Sequence, residues 1–129
     1  INKIEKERFS FAVFFGIRLY MAVKGERYMR VIVFFDLPTV TKKDKKIAAE
    51  FRKFLLQDGY YMLQWSVYSR VCKGMAEVET HSNRLRAVLP DTGSIRLLTV
   101  TEKQYASMEI LVGTVKKGEK TGAIQLLLL

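Results

Sequence analysis

Arg30-Val31-Ile32-Val33-Phe34-Phe35, followed by Asp36-Leu37-Pro38, is the most apolar strand-like run between Met29 and Val112. A continuous apolar run closed by an acidic residue and a proline turn reads as a buried strand followed by a chain reversal. Downstream, Thr41-Lys42-Lys43-Asp44 has the spacing of a capping box, with Asp44 where Glu or Gln is usual. The helix it opens places Ile47, Phe51, Phe54 and Leu55 on one face and Lys45, Lys46, Glu50, Arg52 and Lys53 on the other. Asp58-Gly59 stops it.

Working outward, alternation from Tyr60 to Arg70 predicts one long strand, with Tyr61, Leu63, Trp65 and Val67 on one side and Met62, Gln64, Ser66 and Tyr68 on the other. A helix is expected over Met75 to Leu89, ended by Pro90 and the Asp91-Thr92-Gly93 turn. Ser94 to Val100 reads as a third strand, and Thr101-Glu102-Lys103-Gln104 as a capping box opening a short helical turn. Glu109 to Val112 reads as a fourth strand. The expected order is βαβαββ: an α+β, ferredoxin-like sandwich with helices on one sheet face. Its other face needs a cover, and a homodimer stacking two sheets is the simplest one.

Residues 29–129 form the expected domain, with 116–122 as a linker and 123–129 as an extra C-terminal strand. Residues 1–28 are set apart as an N-terminal extension, with Met21 and Met29 as candidate starts. Its apolar part, Phe9 to Val23, is too short and too interrupted by Arg18 to span a bilayer, so no membrane partner is expected.

Twenty-two Lys and Arg against 13 Asp and Glu give a net charge of +9 on 129 residues. Such an excess favours a polyanionic partner, because each neutralised phosphate releases condensed counterions. Cys72 alone makes no internal disulfide, which points to a reducing cytoplasm. Cys72 and His81 together fall short of the four ligands of a structural zinc site. They are read as a small core thiol and a surface imidazole. Phe34, Phe35, Tyr60, Tyr61, Trp65 and Tyr68 are assigned to core or dimer packing rather than to base stacking, since the third strand carries no aromatic residue. Ser66 is read as a mid-strand core hydroxyl.

Met29 to Pro38, then Phe51-Arg52-Lys53-Phe54-Leu55-Leu56 before Gly59, resemble the CRISPR-associated "Cas-two" family. Gln64-Trp65-Ser66-Val67-Tyr68-Ser69 is similar to the second strand of that family, and Leu97 to Tyr105 to its type II branch. The resemblance covers residues 28 to 129. It implies a ferredoxin-like homodimer that bridges two dimers of the "Cas-one" integrase and handles double-stranded DNA during spacer acquisition. It also implies a metal-dependent endoribonuclease or nuclease acting on single-stranded RNA or on duplex DNA. The acidic residue closing the first strand holds the metal in that family, which maps onto Asp36 as catalytic and metal-binding residue, with Mg2+ shared across the dimer axis.

From the residues alone, an aspartate before such a turn commonly accepts backbone hydrogen bonds and nothing more. Arg30, Lys42, Lys43, Lys45, Lys46, Arg52, Lys53 and Arg70 are the candidate nucleic-acid contacts, made to the backbone without reading sequence. Two other readings of the sequence stay open. One is a toxin-like mRNA interferase; the other is a ferredoxin-like interaction module with no nucleic-acid role.

Overall fold

The computed structural model describes residues 27–114. The expected C-terminal strand and linker, and almost all of the N-terminal extension, lie outside them. Strand β1 (Tyr28–Asp36) leads into helix α1 (Lys42–Gln57), then β2 (Tyr61–Gln64), β3 (Val67–Lys73), helix α2 (Met75–Arg86), β4 (Ser94–Thr101) and a short helix α3 (Glu102–Ala106). The sheet order is β2-β3-β1-β4, and every neighbouring pair is antiparallel.

β1 lies inside the sheet and is bonded on both sides, so its alternation organises two faces. Val31, Val33 and Phe35 join Phe51 and Leu55 of α1, Tyr68 and Cys72 of β3, and Val78 and Leu85 of α2 in the main core. Phe35 meets Phe51 edge-on at a centroid distance of 5.1 Å. Arg30, Ile32, Phe34 and Asp36 alternate onto the opposite face. There Ile32, Leu63 and Tyr105 form a smaller cluster under α3.

Both capping boxes form as the sequence predicts. Asp44 N–H donates to Thr41 Oγ1 and Thr41 N–H to Asp44 Oδ2, each at 3.0 Å. Thr101 and Gln104 do the same for α3. α1 ends in a Schellman arrangement: Tyr60 N–H donates to Leu55 O at 2.9 Å and Gly59 N–H to Leu56 O at 3.2 Å. The left-handed residue that this ending needs is Gly59, at φ +92°.

Three elements differ from the sequence reading. The long strand from Tyr60 to Arg70 is a hairpin, β2 and β3, turning at Trp65-Ser66, so the order is βαββαβ rather than βαβαββ. Ser66 takes φ +69°, and its carbonyl accepts Phe35 N–H at 3.0 Å, which ties the turn to the end of β1. No glycine, proline or asparagine marks that turn, and the alternation runs straight through it. Next, Glu109 to Val112 is irregular and exposed rather than a fourth strand. Finally, α2 stops at Arg86 rather than Leu89: Pro90 has no N–H to return to the Arg86 carbonyl, and its ring would clash with that oxygen in a continued helix.

His81 is not a surface imidazole. It is buried, and its Nδ1 lies 2.8 Å from Asp58 Oδ2, while Arg84 Nη1 donates to Asp58 Oδ1 at 2.9 Å. Arg70 Nε donates to the Asp58 carbonyl at 2.8 Å. Asp58 thus ties the end of α1 to α2 and β3. Burial would raise its carboxyl, but the hydrogen bonds from His81 and Arg84 and their electrostatic attraction outweigh it and hold the group below the usual carboxylate range. Burial also pushes the neighbouring Tyr60 phenol up to about 12 and raises the Cys72 thiol, so both stay neutral and inert. Cys72 is a core residue, as read, though on β3.

A carboxylate with a depressed native titration stabilises the fold above its unfolded pKa of about 3.9 and loses that contribution as pH falls through the native value. Asp58→Asn is therefore expected to destabilise by about 1–3 kcal/mol at neutral pH. In urea titrations the gap to the unsubstituted protein should close below about pH 4.

Candidate functional site

Asp36 closes β1 on the sheet face opposite α1 and α2. It is exposed and pairs with Ser94 of β4. Next along this face, Phe34 sits between Arg96 of β4 and Val67 of β3, and Ile32 sits beside Leu98. α3 covers the far end of the face through Tyr105. The Asp36 end carries no such cover: Phe34 is 37% exposed and Leu98 50%.

No hydrogen bond or ion pair engages the Asp36 carboxylate among the described residues. Its backbone is held instead by the α2–β4 loop. Gly93 lies at φ +95°, and a Cβ built there would come within 2.7 Å of the Asp36 carbonyl oxygen and of Leu37 Cδ2. A side chain at position 93 must therefore displace the strand end as well as adopt a left-handed backbone. Gly93→Ala is expected to cost about 1–3 kcal/mol, measured by urea denaturation. Amide chemical-shift changes should centre on Asp36 and Leu37.

Among the described residues no three His, Cys, Asp or Glu side chains cluster as a metal group. An exposed, unengaged carboxylate suits a hard cation that takes one or two carboxylates and fills its remaining positions with water and phosphate oxygens. It does not suit zinc.

The basic residues divide sharply. Lys42, Lys43, Lys45, Lys46 and Lys53 stand exposed on α1, the solvent-facing side of the sandwich. Arg30, expected among the nucleic-acid contacts, is fully buried. Its Nε donates to Glu102 Oε2 at 2.7 Å and Nη2 to Glu102 Oε1 at 2.9 Å, a two-pronged pair across from β1 to α3. Its Nη1 also donates to the Tyr61 hydroxyl, and the guanidinium lies 4.3 Å from the Tyr105 ring. Burial acts to lower its pKa, but the hydrogen bonds and charge of Glu102 outweigh that and raise it, so Arg30 stays protonated. It is an internal clamp and not a phosphate contact. The sequence hides this, because an arginine next to a strand's apolar run looks like a residue at its edge.

Arg70 is half-buried and spends its donors on the carbonyls of Asp58 and Val71. Arg52 is half-buried too, with its guanidinium 4.3 Å from the Trp65 ring and 5.5 Å from that of Phe35. Trp65, assigned from the sequence to core or dimer packing, is 74% exposed in the single chain. Ser66 is a turn residue beside it rather than a core hydroxyl.

Removing Arg30 would strand the Glu102 carboxylate in the interior. Arg30→Leu is expected to cost about 3–5 kcal/mol in denaturant titrations, whereas the double replacement Arg30→Met with Glu102→Leu should recover much of that loss.

The antiparallel order β2-β3-β1-β4, with both long helices on one face, defines a ferredoxin-like α+β domain. Among the described residues no helix is long and apolar enough to cross a membrane. The model of the family described as CRISPR associated protein Cas2 matches residues 29–108. The chain is 56% identical over 85 residues to a CRISPR-associated endoribonuclease Cas2 from Acidovorax ebreus, a match covering 66% of this chain and 83% of that one. It is 45% identical over 94 residues to a protein of the same name from Flavobacterium psychrophilum, covering 73% and 82%. To that from Parvibaculum lavamentivorans it is 47% identical over 93 residues, covering 72% and 90%. The chain belongs to the Cas2 family of CRISPR systems.

Proposed function

We propose that this chain acts as a homodimeric endoribonuclease of the kind its relatives are named for, with Asp36 as the metal-holding catalytic residue. The observation that carries the reading is the position of Asp36, an unengaged carboxylate on an uncovered sheet face. Exposed Phe34 and Leu98 on the same face favour a second copy as its cover. Two copies pairing there would bring a second Asp36 to the site and complete the donor set for Mg2+. When bound, the ion supplies charge neutralisation at the phosphate and a water of lowered pKa. The chain's own contribution is to hold Asp36: β1 is hydrogen-bonded on both sides, and Gly93 packs against the Asp36 carbonyl.

The same dimer is proposed to bridge Cas-one integrase dimers and bind double-stranded DNA during spacer acquisition in the cytoplasm. The exposed lysines of α1 support this reading, since they suit contacts to a phosphate backbone of any sequence. A basic surface fits both this reading and that of a toxin-like mRNA interferase. Membership of a family found in CRISPR systems favours the former.

Asp36→Ala is expected to reduce Mg2+-dependent RNA cleavage by at least about 100-fold, the scale on which electrostatic transition-state stabilisation acts, while leaving urea stability unchanged. Sedimentation should show a dimer, and duplex DNA affinity should fall steeply as salt rises. Undiminished cleavage by the variant, or a solitary subunit in solution, overturns the site assignment.

A further inference from the structure

Trp65 is the chain's single tryptophan, and it is left outside although the molecule has an apolar core to receive it. Phe35, Tyr60, Tyr68 and Tyr105 are all buried, whereas Trp65 is 74% exposed at the Trp65-Ser66 turn. An indole has more surface to gain from burial than any other side chain. Its exposure is built by the backbone, because the left-handed Ser66 reverses the chain there and fixes the turn on Phe35 N–H.

One face of the indole is already used. The Arg52 guanidinium lies 4.3 Å from the ring and is wedged toward Phe35, while Arg52 Nε is buried without a hydrogen-bond acceptor among the described residues. Stacking therefore sets the position of Arg52, and Arg52 in turn sets the plane of the indole. With that contact in place Trp65 is still 74% exposed, which leaves the other face to solvent. Lys53 is exposed next to Arg52 in the chain, and Lys45 falls on the Arg52 side of α1 about two turns away, roughly 10 Å along the axis. The turn itself is hydrogen-bonded to the residue before Asp36.

We infer that the free face of Trp65 is a stacking platform for an unpaired base of single-stranded nucleic acid, with the strand's phosphates running over the neighbouring α1 cations. The inference rests on the nucleic-acid reading above and narrows its substrate to a strand with exposed bases. Bases within a duplex are stacked on one another and offer no free face, whereas those of a single strand do. Stacking on an aromatic ring is tolerant of sequence, since every base has a π-face. Charge complementarity selects this occupant over a neutral apolar partner, because the flanking surface is cationic.

The test uses tryptophan emission, which here reports a single residue, in EDTA so that binding is read without cleavage. The probes are a mixed-sequence single-stranded RNA of about 12 nucleotides and a duplex DNA of about the same length. The RNA is expected to quench the emission, and the duplex to bind without quenching it. Trp65→Ala should weaken RNA binding about 5- to 100-fold, leave duplex affinity and the salt slope of RNA binding within roughly twofold, and be largely rescued by Trp65→Phe.

RNA binding with neither quenching nor loss in Trp65→Ala overturns the platform alone. An emission shift that follows protein concentration without nucleic acid assigns Trp65 to a contact between copies, and overturns it too. Failure of the unsubstituted protein to bind either probe at low salt overturns both the platform and the reading beneath it.

Discussion

β1 is bonded to β3 on one side and to β4 on the other, so its alternation cannot slip by one residue without inverting the molecule. Val31, Val33 and Phe35 must face the helices, and Arg30, Ile32, Phe34 and Asp36 must face away. The candidate site inherits that constraint. Asp36 reaches the uncovered face because Phe35 is needed in the core, and Arg30 is forced inside because Ile32 and α3 close over its end of the sheet. The strand's two ends therefore have opposite characters: a sealed ion pair at one, an unsatisfied carboxylate at the other.

Polar groups make the long-range links that apolar packing leaves unspecified. Arg30 with Glu102 fixes α3 to the sheet, so the far half of the open face is covered by the chain's own residues. Asp58 with His81, Arg84 and Arg70 fixes the end of α1 against α2 and β3. Such pairs add little net stability compared with apolar replacements, but they are costly to break singly, which favours one arrangement over near alternatives. Both lie away from Asp36, so the strand end is left unencumbered.

Much of the fold was legible in the sequence because its signals were local. The β1 run with its Asp-Leu-Pro ending, the two capping boxes and the Asp58-Gly59 stop each act within a few residues and formed as expected. The hairpin did not announce itself. A turn made by Ser66 in a left-handed conformation carries none of the usual residues, and the alternation on either side conceals it. Reading through it left Trp65 as one more alternating strand residue rather than the exposed tip of a turn. At the site, the place of Asp36 at an exposed strand end was legible from the Asp-Leu-Pro ending, and the exposure of the α1 lysines from helical spacing. Arg30 and His81 were not: each is stabilised by a partner far along the chain, Glu102 and Asp58, and composition gives no sign of such pairing.

The bond from Phe35 N–H to Ser66 O has a geometric corollary. It ties the turn that carries Trp65 to the strand end that carries Asp36 through main-chain atoms, so the spacing of the two Cα atoms is settled when the sheet forms. A ligand spanning the two would meet a fixed backbone gauge and would have only the two side-chain rotamers left to order. Its selectivity would then lie in its own length and stiffness, measured against a ruler cut into the backbone.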